Sequence, residues 1–357
     1  MDFGLSDEQR LLQETVGRFL AQENDASRLR ARFDAEQELD PKLWKGMLEL
    51  GLGGLLVPER QGGAGLELLD AALVAETLGY GAAPGPFLGH SLAGLAIRLG
   101  GSPAQREEWL PRLAAGDRLW SVALCEGGGL WQPEQWELKG EERLSGVKLH
   151  VPYAQQADLF VVGTQGGGLA VVEKGAPGLD VESFAGVDRT RRLGQLRLHE
   201  TPCQLLPGAG AGAHLRDAAL SLLAADAFGG ASRCVEMTVQ YAQTREQFGV
   251  TIGHFQALKH QLANMALRVE PSRALYWYAA HAFDQLPEDA PRAAALAKAH
   301  LTEGFMDVAR DCVEAHGGIG YTWECDVQIW FKRAMFDRAF LGTPAVHRER
   351  AARLAGW

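Results

Sequence analysis

Apolar positions near the start of the chain fall at helical spacing: Leu11, Leu12, Val16, Phe19 and Leu20 share one face, and Ser6 with Gln9 forms a capping box ahead of them. A second helix fits LDPKLWKGMLELG, with Pro41 near its start and Gly51 at its end. After a glycine-dense connector over 51–66, helical patterning resumes in LLDAALVAETLGYG and LGHSLAGLAIRLG. SPAQREEWLPRLAAG predicts a short helix pair broken at Pro111. Near Asp117 the period changes. Short β-like runs follow, from LWSVALCE to QLRLHE, separated by GGG, GEE and GAPG turns, and they predict a small antiparallel β-unit. PGAGAGAH at 207–214 reads as a flexible joint, and helices are expected over 215–243, 254–284, the stretch ending at Gly317-Gly318, and 343–355. In the last of these, Thr343 is the expected N-cap and Pro344 the first helical residue.

The expected organisation is therefore mainly α with a β insert. Residues 1–116 form an N-terminal helical domain, 117–206 a small middle β-barrel domain, and 207–357 a C-terminal four-helix bundle. Composition narrows what such a chain can do. With 357 residues, 46% hydrophobic, 22% charged and a net charge of −10, it suits a soluble globular protein and gives nucleic acid nothing to bind. No run approaches the roughly 18 apolar residues of a membrane span. The acidic start is neither a signal nor a transit peptide. Five scattered cysteines, never in a CxxC pair, favour reduced thiols and a cytoplasmic location, and the histidines show no metal spacing. Arg189, Arg191 and Arg192 read as a solvated β-turn. Gly208 and Gly210 mimic a dinucleotide fingerprint, but helices follow where a βαβ unit needs a strand.

YAQTREQFGVTIGHFQALKH carries more specific chemistry. Arg245 ends a long helix, where a guanidinium can clamp a pyrophosphate. Phe248 offers a ring face, Gly249 lets the backbone turn, and Gln256 offers an amide to the same ligand. Alone, these could equally be a helix-capping arginine and a core phenylalanine. Together with LLVPERQGGAGL and AHGGIGYTWECDVQIWFKRA, and with the Gly-Thr helix start after it, the pattern resembles the acyl-CoA dehydrogenase family over roughly residues 5–350. That resemblance implies FAD held between two subunits. It implies a carboxylate that takes the α-proton of an acyl-CoA thioester while the β-hydride passes to flavin N5. It also implies an electron-transfer flavoprotein as the electron acceptor.

In the family one subunit supplies the flavin-ring shelf, substrate pocket and base, and its neighbour holds the ADP half of FAD. The resemblance assigns the neighbour's set to Arg245, Phe248, Gln256 and the turn Glu314, Ala315, His316, Gly317 and Gly318. Glu314 stands where glutamine is usual, so it is expected to point at a ribose hydroxyl or away. The other set is altered at several places. Glu126 is followed by GGGLWQPEQWE instead of Gly-Ser-Asp, LHVPYAQQ replaces the Trp-x-Thr/Ser beside the flavin, and Ala345 replaces a glutamine. The base position is Leu341. The alternative base position is Ala219, with Leu220 where an arginine would stand beside it.

The first expectation is a base-lacking subunit of a heteromeric FAD-dependent acyl-CoA dehydrogenase, of the kind known in steroid side-chain degradation. A second acyl-CoA dehydrogenase-like subunit would then carry the base. A self-contained flavoenzyme with other chemistry, such as sulfinate elimination, is the alternative. There Asp226, buried among small residues with a raised pKa, would be an improvised base; otherwise it is a helix-packing polar contact. A non-enzymatic scaffold is the third reading.

Overall fold

The computed structural model describes residues 4–357. Six helices come first: α1 (Asp7–Glu23), α2 (Ala26–Asp34), α3 (Pro41–Glu49), α4 (Leu68–Tyr80), α5 (Phe87–Gly100) and α6 (Pro103–Ala115). The Ser6–Gln9 capping box is formed, and Asp40 caps α3 ahead of Pro41. Helix α6 does not break at Pro111. A capping box between Ser102 and Gln105 and the buried Trp109, Leu110 and Leu113 hold it through the proline as one helix.

Seven strands follow: β1 (Trp120–Ala123), β2 (Arg143–Pro152), β3 (Leu159–Thr164), β4 (Gly168–Glu173), β5 (Leu179–Phe184), β6 (Leu193–Pro202) and β7 (Gln204–Leu206). They divide into a sheet ordered β1-β3-β4-β7 and a sheet ordered β2-β6-β5, so the strands do not close into a barrel. Nor is the unit wholly antiparallel. Strand β1 pairs parallel to β3, with Trp120 opposite Leu159. The apolar pattern of β1 identifies a strand but carries no direction, and a parallel pair needs the long connection that residues 124–158 supply.

The expected joint at 207–214 is already helical at Ala211: α7 (Ala211–Thr244) starts after Gly210, which adopts a left-handed conformation. A short hairpin, β8 (Glu246–Gln247) and β9 (Val250–Thr251), comes next. The helix expected over 254–284 is two helices, α8 (Gln256–Val269) and α9 (Arg273–Gln285), separated by a single 3-10 turn at Glu270–Ser272. Pro271 lies in that turn and has no N–H to give an α-helix. Then come α10 (Ala290–Ala315), α11 (Val327–Ala339) and α12 (Pro344–Leu354). Thr343 occupies the N-cap of α12, yet its side chain makes no capping bond.

Helix α7 is the axis of the molecule. From Leu215 to Ala231 every residue is buried, because α4, α5, α9, α10 and α11 all pack on it. At the α4–α7 crossing, a Cβ on Gly79 would lie 2.1 Å from the Asp226 carbonyl, and one on Gly229 would lie 1.9 Å from that of Glu76. Glycine at both positions lets the two backbones touch, and this sets Asp226 at the junction of all three segments.

Candidate functional site

Arg245 follows the last residue of α7. Its N–H bonds the Tyr241 carbonyl at 2.8 Å, and its carbonyl accepts the Ile252 N–H at 2.8 Å, which folds the hairpin back on the helix. Its guanidinium is exposed and has no ion pair or hydrogen bond among the described residues. It lines a cleft of about 460 Å³ together with Tyr241, Glu314, His316, Gly317 and Gly318. Glu314 is exposed, and no salt bridge or hydrogen bond engages its carboxylate among the described residues. No atom lies within 4 Å of where a Cβ on Gly317 or Gly318 would stand, so this chain's own packing does not require glycine there. Gly317 sits at a φ of +64°, which glycine adopts without strain.

The structure thus brings Arg245 together with the Glu314–Gly318 turn, Ala315 included. Phe248 and Gln256 do not line the cleft. Phe248 is 93% exposed at the hairpin tip. It takes a φ of +57° before Gly249 at +78°, and paired positive φ values of this kind close two-residue hairpins. Gln256 is exposed at the start of α8.

Tyr241 escaped the sequence reading. Its ring stacks on His316 with centroids 4.4 Å apart and planes at 21°. The signal was its place one helical turn before Arg245. His316 Nδ1 donates to the Cys312 carbonyl at 2.7 Å. Burial works against the charged imidazole, but the Cys312 sulfur and carbonyl outweigh it and hold the pKa above its usual value.

The positions assigned to a base are closed. Ala219 and Leu220 are fully buried inside α7. Leu341 is 1% exposed and takes a φ of +61°. Its carbonyl accepts from His347 Nε2 at 3.0 Å and from Gln132 Nε2 at 3.3 Å, while the Gly342 carbonyl accepts from Lys298 Nζ at 3.1 Å. Two of the altered stretches meet beside it. Trp131, from GGGLWQPEQWE, stacks on His150, from LHVPYAQQ, at 5.5 Å and 20°. Trp131 also meets Phe340 edge-on at 5.0 Å, and Phe340 stacks on Phe336 at 4.8 Å. Four aromatic rings from a loop, a strand and a helix end therefore pack together next to Leu341 and line a cleft of about 320 Å³.

Asp226 is not a raised-pKa base. Arg333 grips its carboxylate in bidentate fashion at 2.7 and 2.6 Å, and Arg191 donates to it as well. Burial pushes the pKa up, but the two guanidiniums prevail and hold it below the usual aspartate value. Arg191 is accordingly no solvated turn residue: it is 6% exposed. The polar-contact reading of Asp226 is the one the structure bears out.

Comparison with known proteins shows what the whole chain is similar to. The sequence model for the acyl-CoA dehydrogenase N-terminal domain matches residues 6–117, and that for the C-terminal domain matches residues 220–355. The chain is 33% identical to acyl-CoA dehydrogenase IpdE2 of Mycolicibacterium smegmatis, covering 98% of each chain. It superposes on a variant of the Tcur3481–Tcur3483 steroid ACAD with a TM-score of 0.90, at 32% identity over 98% of each chain. The ChsE4–ChsE5 complex from Mycobacterium tuberculosis gives the same TM-score of 0.90, at 28% identity over 100% of this chain and 99% of that one. Among the described residues, no helix is long and apolar enough to cross a membrane.

Proposed function

We propose a role for this chain from the premise that it belongs to the acyl-CoA dehydrogenase family, whose cofactor is FAD. In our reading it is the base-lacking subunit of a heteromeric dehydrogenase that desaturates an acyl-CoA thioester, one carrying a steroid side chain. Two solved relatives are named as a steroid enzyme and as a two-component complex, which supports that choice. The observation that carries it is the asymmetry between the two half-sites. One cleft holds an unpaired arginine beside an open glycine turn, while the base position is the buried, non-ionisable Leu341.

The residues at the first cleft suit the ADP end of FAD. Arg245 would bind the pyrophosphate, the Gly317-Gly318 backbone would let it approach, and Glu314 would accept from a ribose hydroxyl. Phe248 and Gln256, standing beside the cleft, would reach the cofactor from the hairpin and from α8. Bound there, FAD supplies the hydride acceptor of the desaturation. The base and the flavin-ring shelf come from a second acyl-CoA dehydrogenase-like subunit, and an electron-transfer flavoprotein takes the electrons.

Co-expression with candidate partner subunits tests this. The complex is expected to hold one FAD per pair of unlike chains and to oxidise acyl-CoA, while the lone chain does neither. Arg245→Ala should lower FAD affinity about tenfold or more, since a charge-assisted bidentate contact is worth roughly 1.5–3 kcal/mol. One FAD per chain with turnover in the lone protein would favour the self-contained flavoenzyme. A partner whose flavin content ignores Arg245→Ala would favour the scaffold.

A further inference from the structure

Beneath the Arg245 cleft, α7 and α10 bring two cysteines together. Cys234 and Cys312 are both fully buried, and both are free thiols. The Cys312 sulfur lies 3.5 Å from the Cys234 carbonyl, and the two side chains are hydrogen-bonded to each other. Thr238, one turn after Cys234, donates its hydroxyl to the Cys312 sulfur at 2.8 Å. His316 Nδ1 stands 3.9 Å from the same sulfur. A thiol and a hydroxyl from α7 and an imidazole from the end of α10 thus converge on one sulfur. Plain packing at a helix crossing asks only for a small side chain, not for three polar groups around it. His316 is also a wall of the Arg245 cleft, so the same ring meets the sulfur on one side and the cleft on the other.

The two cysteines are not equivalent. The Cys234 side chain, against the opposing effect of burial, and then His316 and Thr238 hold the Cys312 sulfur below the usual thiol range. Burial, and then the bond to Cys312, push Cys234 well above it. An attacking thiolate therefore sits beside a protonated thiol that can resolve it, the pairing that captures a sulfenic acid as a disulfide.

We propose that Cys312 and Cys234 are a redox pair that hydrogen peroxide closes into a disulfide. The Cys312 thiolate attacks the peroxide: an S–O bond forms, the O–O bond breaks, and the leaving hydroxide departs as water with a proton from His316. The Cys234 thiol then attacks the sulfenic sulfur. The S–S bond forms, the S–O bond breaks, and the hydroxyl leaves as water with the Cys234 proton. The two thiols lose two electrons, which the peroxide gains. His316 is left facing a neutral disulfide, so the cleft wall loses a positive charge near Arg245. The proposal uses only this chain's residues and does not depend on the heteromeric reading.

Treating the reduced full chain with hydrogen peroxide and mapping its peptides without reductant tests it. A Cys234–Cys312 link should form about tenfold or more faster than Cys203 is oxidised, although Cys203 is the more exposed thiol. Dithiothreitol should reverse it. Cys234→Ser should leave a sulfenic acid on Cys312 that dimedone traps, and Cys312→Ser should leave Cys234 unreacted. In proton NMR, with the signal assigned through His316→Asn, the His316 pKa should fall by about one unit on oxidation and recover on reduction. Oxidation of Cys203 first, a link from Cys312 to any other cysteine, or a disulfide that leaves the His316 titration unmoved would overturn the proposal.

Discussion

A carboxylate placed at position 341 is not expected by itself to give the lone chain dehydrogenase activity. Leu341 is buried, and beside it Trp131 stacks on His150 and meets Phe340 edge-on. Leu341→Glu is therefore expected to yield no acyl-CoA-dependent reduction of a ferrocenium acceptor by the lone chain. Measurable turnover would show that a carboxylate at this position suffices. A different single residue governs the response to acid. His90 is fully buried, accepts the Trp120 N–H at Nδ1 and donates from Nε2 to the Leu113 carbonyl at 3.1 Å. Burial, partly offset by that carbonyl, lowers its pKa from 6.5 to about 4. Below pH 6.5 the unfolded chain takes up a proton that the folded chain refuses. The stability from this group is thus complete above pH 6.5 and is lost as pH falls towards 4. The loss is about 1.4 kcal/mol per pH unit within that window. His347, whose pKa burial lowers to about 3, adds in the same sense. Urea unfolding between pH 7 and 5 should show this slope, and His90→Gln should flatten it by one proton.

At the scale of elements, α6 keeps a strained residue that its flanks tolerate. Pro111 cannot donate to the Glu107 carbonyl, and an interior helix proline costs about 3 kcal/mol, of which a stiffer unfolded chain returns about a third at most. Pro111→Ala should therefore raise unfolding free energy by about 2 kcal/mol in urea; a loss would mean that the proline ring itself serves packing. The same helix shows where sequence reading stops. Its proline was legible and its outcome was not, because the Ser102–Gln105 cap and the buried Trp109 and Leu113 decide the balance. The long α7, the Ser6 cap and the Gly317-Gly318 stop were legible because each rests on local periodicity or a local backbone need. The parallel β1–β3 pairing, the burial of Arg191 and the ionised state of Asp226 were not. Each depends on partners far along the chain, and no local pattern encodes them. The cleft was half legible: TREQFG and HGG announced Arg245 and the glycines, whereas Tyr241 became significant only once its ring met His316.

For the whole molecule the decisive residue is Arg333. It is completely buried, and its guanidinium reaches all three segments. It donates to the Ala83 carbonyl at 3.2 Å beyond α4, to Thr190 Oγ1 at 2.9 Å ahead of β6, and to both oxygens of Asp226 in α7. Arg191 brings the sheet region to the same carboxylate. Arg333→Met would leave Asp226 with one cation instead of two, and the Ala83 carbonyl without this donor. Removing one partner of a buried charge pair costs about 3–5 kcal/mol, so the variant should unfold at markedly lower urea concentration. The spatial pattern is the sharper expectation. Helices α4 and α10 still pack on α7 through apolar and glycine contacts, whereas the segment ahead of β6 loses its tie to α11 at Thr190 and keeps Arg191 on Asp226. Hydrogen exchange in the variant should therefore accelerate most in β2, β5 and β6 and least in the middle of α7. Uniform acceleration throughout the chain would mean that the three segments open as one unit, and that the arginine strengthens a joint already held by its apolar contacts.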